Sequence, residues 1–286
     1  MDSEQLDLFN ESSTKHRYPI QLGHAEVTGS NTQSILTKTT GFMSDYDYSL
    51  NPYSGCTYGC SYCYAAFFVR DEQQRISWGN WVVVKQNALT ALRKVRTNLQ
   101  DKTVYMSSVT DPYQPIERRL ELVRSLLTEL HFRGVRLVIQ TRSPLVVRDI
   151  DLLKEFKHVR VNMTIGTDSR VVHKLFEPHC PSTRLRLRAI QRIHEAGIRS
   201  CITLTPLLPV ENPSKFIQDL RATGVQHFVV QPFHLNRGKF VAGTRSEALQ
   251  LAKEMQWDER SYEHFVRIMR SELPGVEEGR DGFAPE

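Results

Sequence analysis

Six short apolar runs punctuate the middle of the chain, at 47–52, 103–109, 136–141, 159–165, 200–207 and 227–231. Several are rich in Val, Ile and Thr and nearly continuous in apolar character, as strands buried on both faces are. Between them, apolar positions recur at helical spacing. Residues 118–133 carry Leu122, Leu126 and Leu130 four apart and stop at Gly134. Residues 182–196 place Leu185, Ala189 and Ile193 on one face and stop at Gly197, and 213–222 begin at Pro213 and stop before Gly224. Six strand–helix alternations predict an α/β fold, a parallel sheet curled into a partial (β/α)6 TIM-like barrel. A further short strand is expected at 81–85, ahead of a helix near 87–97, and two helices after the barrel at 245–254 and 259–271.

The ends break this rhythm. Residues 1–40 are polar, rich in Ser, Thr, Gln and Asn, and are expected to form a flexible N-terminal arm and lead-in. The core then spans 41–240, and 241–286 holds the C-terminal helices and a tail. From Pro274 onward that tail is rich in Gly and Pro and is expected to be poorly ordered. No internal repeat or heptad is visible.

Composition narrows the class. With 286 residues, 40% hydrophobic and 24% charged, the chain can build a large core as one domain or two small ones. No apolar stretch approaches a membrane span. The start, Met1-Asp2-Ser3-Glu4, lacks the basic-then-apolar pattern of a secretory signal, so a cytoplasmic, reducing location is expected. A net charge of +5 admits a phosphate-rich partner without requiring one.

The chemistry concentrates in Cys56-Thr57-Tyr58-Gly59-Cys60-Ser61-Tyr62-Cys63. Three thiolates spaced C-x3-C-x2-C can ligate three irons of a [4Fe–4S] cluster and leave the fourth iron open to a small molecule. A structural zinc usually takes four N/S ligands, and no second pair follows at zinc-finger spacing. Five cysteines without a signal peptide argue against disulfides. The motif directly follows the first predicted strand, at the rim where α/β barrels keep their chemistry.

The cysteine spacing, with Tyr62 just before Cys63, resembles the signature of the radical S-adenosylmethionine (SAM) enzymes. The resemblance implies that Cys56, Cys60 and Cys63 bind the cluster, that SAM chelates the open iron, and that Tyr62 packs near the adenine. It also implies an electron donor such as flavodoxin or ferredoxin. The string Phe176-Glu177-Pro178-His179-Cys180-Pro181, with Thr141-Arg142 and Met163-Thr164-Ile165, resembles the spore photoproduct lyase branch over about residues 48–233. That branch implies a lyase-like reaction in DNA repair. Its members carry a cysteine at the end of the second strand that returns a hydrogen atom to the product radical; Ser107 stands there in this chain, and an O–H bond is too strong for the task. Cys180 and Cys201 remain as candidate donors, against the plainer role of small buried hydrophobes.

The other rim residues have expected partners on SAM. Ser107, Ser108, Thr110 and Asp111 follow the second strand, where the family usually has a glycine-rich segment at the SAM amino group; the alternative is an ordinary Asp-Pro turn. Arg142 ends the third strand and suits the SAM carboxylate, or is a solvated arginine. Asn162 and Thr164 share one face of the fourth strand and suit the ribose hydroxyls. The segment 203–209 is a wall for adenine or simply barrel core.

Two features point to larger partners. Gln5-Leu6-Asp7-Leu8-Phe9 resembles the short peptide by which bacterial replication and repair proteins dock on the sliding clamp, with Leu8 and Phe9 entering an apolar pocket and Gln5 at its edge; the alternative is an apolar patch folded back on the barrel. Arg184, Arg188 and Arg192 share a helix face, with Arg186 off that stripe, and either steer nucleic acid or form a solvated outer face. Tyr113, Phe233 and His234 fall near rim positions and suit base stacking or core roles. The combined expectation is a radical SAM enzyme acting on damaged or modified nucleic acid. Its rivals are modification of a small molecule, peptide or tRNA, and a cluster- or zinc-bearing binding module recruited to replication sites.

Overall fold

The computed structural model describes residues 20–232 and 245–285. Gln5, Leu6, Asp7, Leu8 and Phe9, as well as Phe233 and His234, lie outside the described residues. The strands are β1 (Gln21–Leu22), β2 (Ala25–Ser30), β3 (Leu36–Lys38), β4 (Tyr48–Leu50), β5 (Tyr53–Ser54), β6 (Trp81–Lys85), β7 (Thr103–Met106), β8 (Arg136–Thr141), β9 (Val159–Thr164), β10 (Arg199–Leu204), β11 (Phe228–Val230) and β12 (Val276–Glu278). The helices are α1 (Glu72–Ile76), α2 (Ala88–Arg93), α3 (Glu117–Leu120), α4 (Leu122–Phe132), α5 (Ile150–Glu155), α6 (Arg170–Phe176), α7 (Thr183–Glu195), α8 (Pro213–Arg221), α9 (Ser246–Glu254) and α10 (Glu259–Glu272).

The large sheet runs β12-β11-β10-β9-β8-β7-β4-β3. From β4 to β11 every neighbouring pair is parallel and the order follows the chain. This is the expected six-stranded partial barrel, open between the antiparallel edge strand β3 and the added parallel strand β12. Side chains alternate across it. Val104, Met106, Leu137, Ile139, Val161, Met163, Ile202, Leu204, Phe228 and Val230 join the helices in the main core. The other face carries Tyr105, Val138, Cys201 and Val229, packed with Tyr46 and Phe283 in a separate small cluster. Leu126, Leu127 and Leu130 of α4 are fully buried, each contributing ~1.5–3 kcal/mol of transfer free energy.

Three sequence expectations need correction. The polar lead-in is strand from Gln21 onward, because Ala25 and Val27 point inward and Glu26 and Thr28 outward. β1, β2, β6 and β5 form a second, four-stranded sheet that the sequence reading did not foresee. The Gly/Pro-rich tail is also ordered. β12 pairs with β11, and Phe283 is buried with its carbonyl accepting from the Tyr46 hydroxyl at 2.6 Å. Finally, the buried face of α7 is Arg186, Ala189, Ile190 and Ile193, whereas Leu185 is exposed. Arg184, Arg188 and Arg192 are exposed.

Candidate active site

The cysteine loop does not leave the barrel strand β4 directly but follows β5, the short strand after it that pairs with β6 in the small sheet, and it ends in a 3-10 turn, Tyr64–Phe68. Its backbone is tied down from three sides. The segment after β7 donates from Thr110 Oγ1 to the Gly55 carbonyl at 2.6 Å, and Gln114 Oε1 accepts from the Thr57 amide at 3.0 Å. The Tyr58 hydroxyl donates to the Tyr113 carbonyl at 3.2 Å. The end of α6 receives the Ser61 amide through the Phe176 carbonyl at 2.9 Å. On the small-sheet side, His24 Nε2 contacts the carbonyls of Thr57 and Gly79 at 3.1 and 3.0 Å, and its ring stacks on His179 at 3.6 Å. Gly59 (φ +60°) and Gly79 (φ +105°) pass so closely that a Cβ on Gly79 would sit 2.7 Å from the Gly59 Cα. Glycine is required there both for the backbone angle and for the approach.

Cys56 and Cys60 are buried and Cys63 is half-buried, in an apolar nest with Tyr58, Tyr62, Ala65, Ala66, Trp78 and Cys180. The three thiols sense one another electrostatically. Burial pushes Cys56 well up and Cys63 to about 11, whereas the Cys180 thiol beside it lowers Cys60. As ligands of iron the three would have to be thiolates, so cluster binding would be accompanied by proton release. Three thiols within eight residues, brought into one apolar nest, suit a cluster in which each thiolate would take its own iron. The donor set fits the [4Fe–4S] group.

A buried polar chain lies beside this nest. The Glu177 carboxylate accepts from Arg186 and from the Tyr62 hydroxyl, and Arg142 Nε stands 3.6 Å from it. Arg142 also donates to the Tyr62 hydroxyl at 3.2 Å, with its guanidinium 5.6 Å from that ring's centroid. Burial pushes Glu177 up, but Arg186 and Arg142 outweigh it and bring the carboxyl down to about 2. Arg186 further donates to the carbonyls of Pro181 and Thr164 at 2.7 and 3.0 Å, joining α7 to the end of β9. The Arg142 charge also lowers Cys60, so it lies where an anionic cluster would need compensation.

The expected SAM contacts divide into occupied and open groups. Asp111 is used within the protein: it accepts from the Thr141 hydroxyl and the Arg142 amide, both at 2.7 Å, and from the Tyr113 amide at 2.9 Å. It staples the loop after β7 to the end of β8. Thr110 is spent on holding Gly55, and Ser108 Oγ accepts from Asn51 at 3.3 Å. Ser107 sits just past β7 at φ +75°, with its buried hydroxyl making no hydrogen bond. A non-glycine residue held there costs ~1–3 kcal/mol of strain, a cost found mainly at functional sites. Thr164 shares a network with Gln140 and Thr203 at 2.7 and 3.0 Å. Asn162 is fully buried beside the Tyr105 hydroxyl, yet neither amide atom makes a hydrogen bond of good geometry.

The structure brings Cys180 to the cysteine loop, with its Sγ 3.5 Å from Cys60 Sγ. Cys201 is placed elsewhere, in the small cluster with Tyr46 and Phe283. Tyr113 is fully buried under Arg148, so its ring stacks on no base at the rim. Sequence reasoning missed His24, Gln114, Gln140 and the partnership of Glu177 with Arg186, and it read Thr203 as part of an apolar wall, whereas its hydroxyl bonds with Gln140 and Thr164. One signal was available: Arg186, off the basic stripe, falls on the apolar side of an amphipathic helix, where a charge needs a buried partner.

The profile of the Radical SAM superfamily matches residues 50–222, and the chain belongs to that superfamily. The superfamily's cofactors are a [4Fe–4S] cluster and SAM. An uncharacterized protein of Methanocaldococcus jannaschii is 38% identical over 162 residues, which are 57% of this chain and 61% of that protein. The radical SAM Nalpha-GlyT isomerase of Pseudomonas phage M6 is 27% identical over 187 residues, 63% of this chain and 38% of the phage enzyme. This chain thus spans less than two thirds of the length of these relatives. A spore photoproduct lyase complexed with dinucleoside spore photoproduct shares the fold at a TM-score of 0.57 and 15% identity, covering 88% of this chain and 81% of that chain. Among the described residues, no helix is long and apolar enough to cross a membrane.

Proposed function

We propose that this protein cleaves SAM reductively and uses the resulting radical to abstract hydrogen from a damaged or modified nucleic acid, in the manner of a repair lyase. The carrying observation is the three-thiol loop, with Cys56 and Cys60 buried, that follows the first barrel strand β4 and the short β5. When bound, the cluster supplies the electron that splits SAM into methionine and a 5′-deoxyadenosyl radical. Cys56, Cys60 and Cys63 would hold three of its irons, and Tyr58, Tyr62 and Trp78, buried in the same nest, would keep water from them. Arg142, braced by Glu177, offsets negative charge beside Cys60. The inner barrel face offers Asn162, whose buried amide lies beside the Tyr105 hydroxyl and suits the donor–acceptor edge of a base.

The substrate class is supported by three separate features: the fold shared with a lyase that binds a dinucleoside photoproduct, the net charge of +5, and the clamp-like peptide at Gln5 to Phe9. Flavodoxin or ferredoxin is the proposed electron donor, and the sliding clamp the proposed docking partner. The test is anaerobic incubation of the reconstituted protein with SAM, dithionite, and either ultraviolet-irradiated DNA, intact DNA, tRNA or no substrate. Formation of 5′-deoxyadenosine that rises with irradiated DNA, together with a nucleoside of altered mass, is the expected result. Cleavage indifferent to DNA would move the substrate to another class, and no cleavage at all would leave a binding module.

A further inference from the structure

We infer that Cys60 and Cys180 are a redox-modifiable pair, closing to a disulfide when the cluster is absent and so barring its reassembly under oxidising conditions. The inference rests on the ligand role of Cys60 for its consequence, and on geometry for the bond itself.

The two sulfurs are 3.5 Å apart, both buried in one apolar nest, and they come from segments far apart in the chain. Closing that gap to the ~2.05 Å of a disulfide asks for about 1.5 Å of movement. Cys180 is held in place for this contact. Its amide donates to the Glu177 carbonyl at 3.0 Å, the following residue's carbonyl accepts from Arg186 at 2.7 Å, and Glu177 is itself bound to Arg186 and Tyr62. On the other side, Cys60 sits in a loop fixed through Thr57, Tyr58 and Ser61. Neither partner has far to swing, and the brackets on both sides keep them facing.

With the cluster bound, Cys60 is an iron ligand and is unavailable. Once the cluster is lost, a peroxide oxidises the pair: one thiolate takes one oxygen of the peroxide as a sulfenic acid and releases water, and the second thiol displaces a second water to form the S–S bond. Two thiols and one hydrogen peroxide give one disulfide and two waters. A thiol reductant reverses it by exchange. The bond removes one of the three iron ligands, so a damaged site is parked in a repairable state rather than filled by a stray metal.

The test is made on the metal-free full chain prepared under reducing, anaerobic conditions. After brief exposure to hydrogen peroxide, free thiols should number two fewer than the five of the reduced chain. Peptide mapping by mass spectrometry should join the Cys60 peptide to the Cys180 peptide. Cluster uptake from iron and sulfide, read by visible absorbance, should be lost and should return after dithiothreitol. Cys180→Ala and Cys180→Ser, given the same exposure, should keep their thiols and still take up the cluster. A bond joining Cys60 to Cys56 or Cys63, retention of all five thiols, or the same oxidation in the Cys180 variants would overturn the inference. A Cys60–Cys180 bond that leaves uptake intact would overturn its consequence, and with it the ligand role of Cys60. None of these readouts depends on SAM turnover or on the substrate.

Discussion

Arg186 and Glu177 form an ion pair in which each side chain is only 1% exposed. The pair joins α7 to the turn that carries Cys180 and, through Tyr62, to the cysteine loop. Removing one partner deprives the other buried charge of its main counter-ion, leaving Glu177 with Tyr62 and the more distant Arg142, or Arg186 with two carbonyls, at up to ~3–5 kcal/mol. Arg186→Leu and Glu177→Leu should each lower stability by that order in chemical denaturation, and the double variant should recover much of it. Glu177 also gives the pair a pH signature. Its folded carboxyl titrates at about 2 rather than the usual 4.5, so its stabilisation is present above 4.5 and is lost as pH falls towards 2. Glu177→Gln should flatten that part of the acid limb; an unchanged profile would show that the pair does not govern it.

Cys60 is buried at the centre of the three-thiol loop. Cys60→Ala should abolish the visible absorbance of the reconstituted cluster and the release of 5′-deoxyadenosine from SAM. Retention of both would remove it from the ligand set.

Gly79 bears on the same loop from outside. An alanine there meets backbone rather than a yielding side chain, 2.7 Å from the Gly59 Cα. Gly79→Ala should therefore reduce cluster loading severalfold while leaving far-ultraviolet circular dichroism near normal, because the barrel strands do not depend on this contact. Full iron content in the variant would refute the bracing role.

Asn162 is fully buried with no well-aligned hydrogen bond, its polar neighbour being the Tyr105 hydroxyl, and a poorly satisfied buried amide costs ~1–3 kcal/mol. Asn162→Leu should leave the melting temperature unchanged or raised, and should at the same time lose the stimulation of SAM cleavage by substrate. A fall in stability with substrate response intact would show a packing role instead.

Leu8 and Phe9 are the apolar anchors of the clamp-like peptide. Replacing both with Ala should abolish binding to the sliding clamp in calorimetry and leave SAM cleavage untouched. If the unaltered protein binds no clamp, the docking role fails.

The barrel was legible because its evidence is local. Each of β4, β7, β8, β9, β10 and β11 overlaps an apolar run bounded by turn residues, and the helices between them carry their own periodicity. The cysteine loop was legible for the same reason: its three donors lie within eight consecutive residues. The small sheet was missed because β2 pairs with β6, far along the chain, and only that pairing satisfies the backbone of a polar, weakly patterned strand. The tail was misread likewise, since β12 becomes a strand by adding to β11.

The amino-acid sequence by itself determined the strand order and the cluster loop, because hydrophobic period and ligand spacing are short-range properties of the chain. Tertiary structure alone decided that Asp111 is a staple, that Arg142 answers to Glu177 and Tyr62, that Cys180 meets Cys60 while Cys201 does not, and that Asn162 is buried beside the Tyr105 hydroxyl. What a polar side chain does depends on which groups three-dimensional packing has already assigned to it, and that assignment has no local trace.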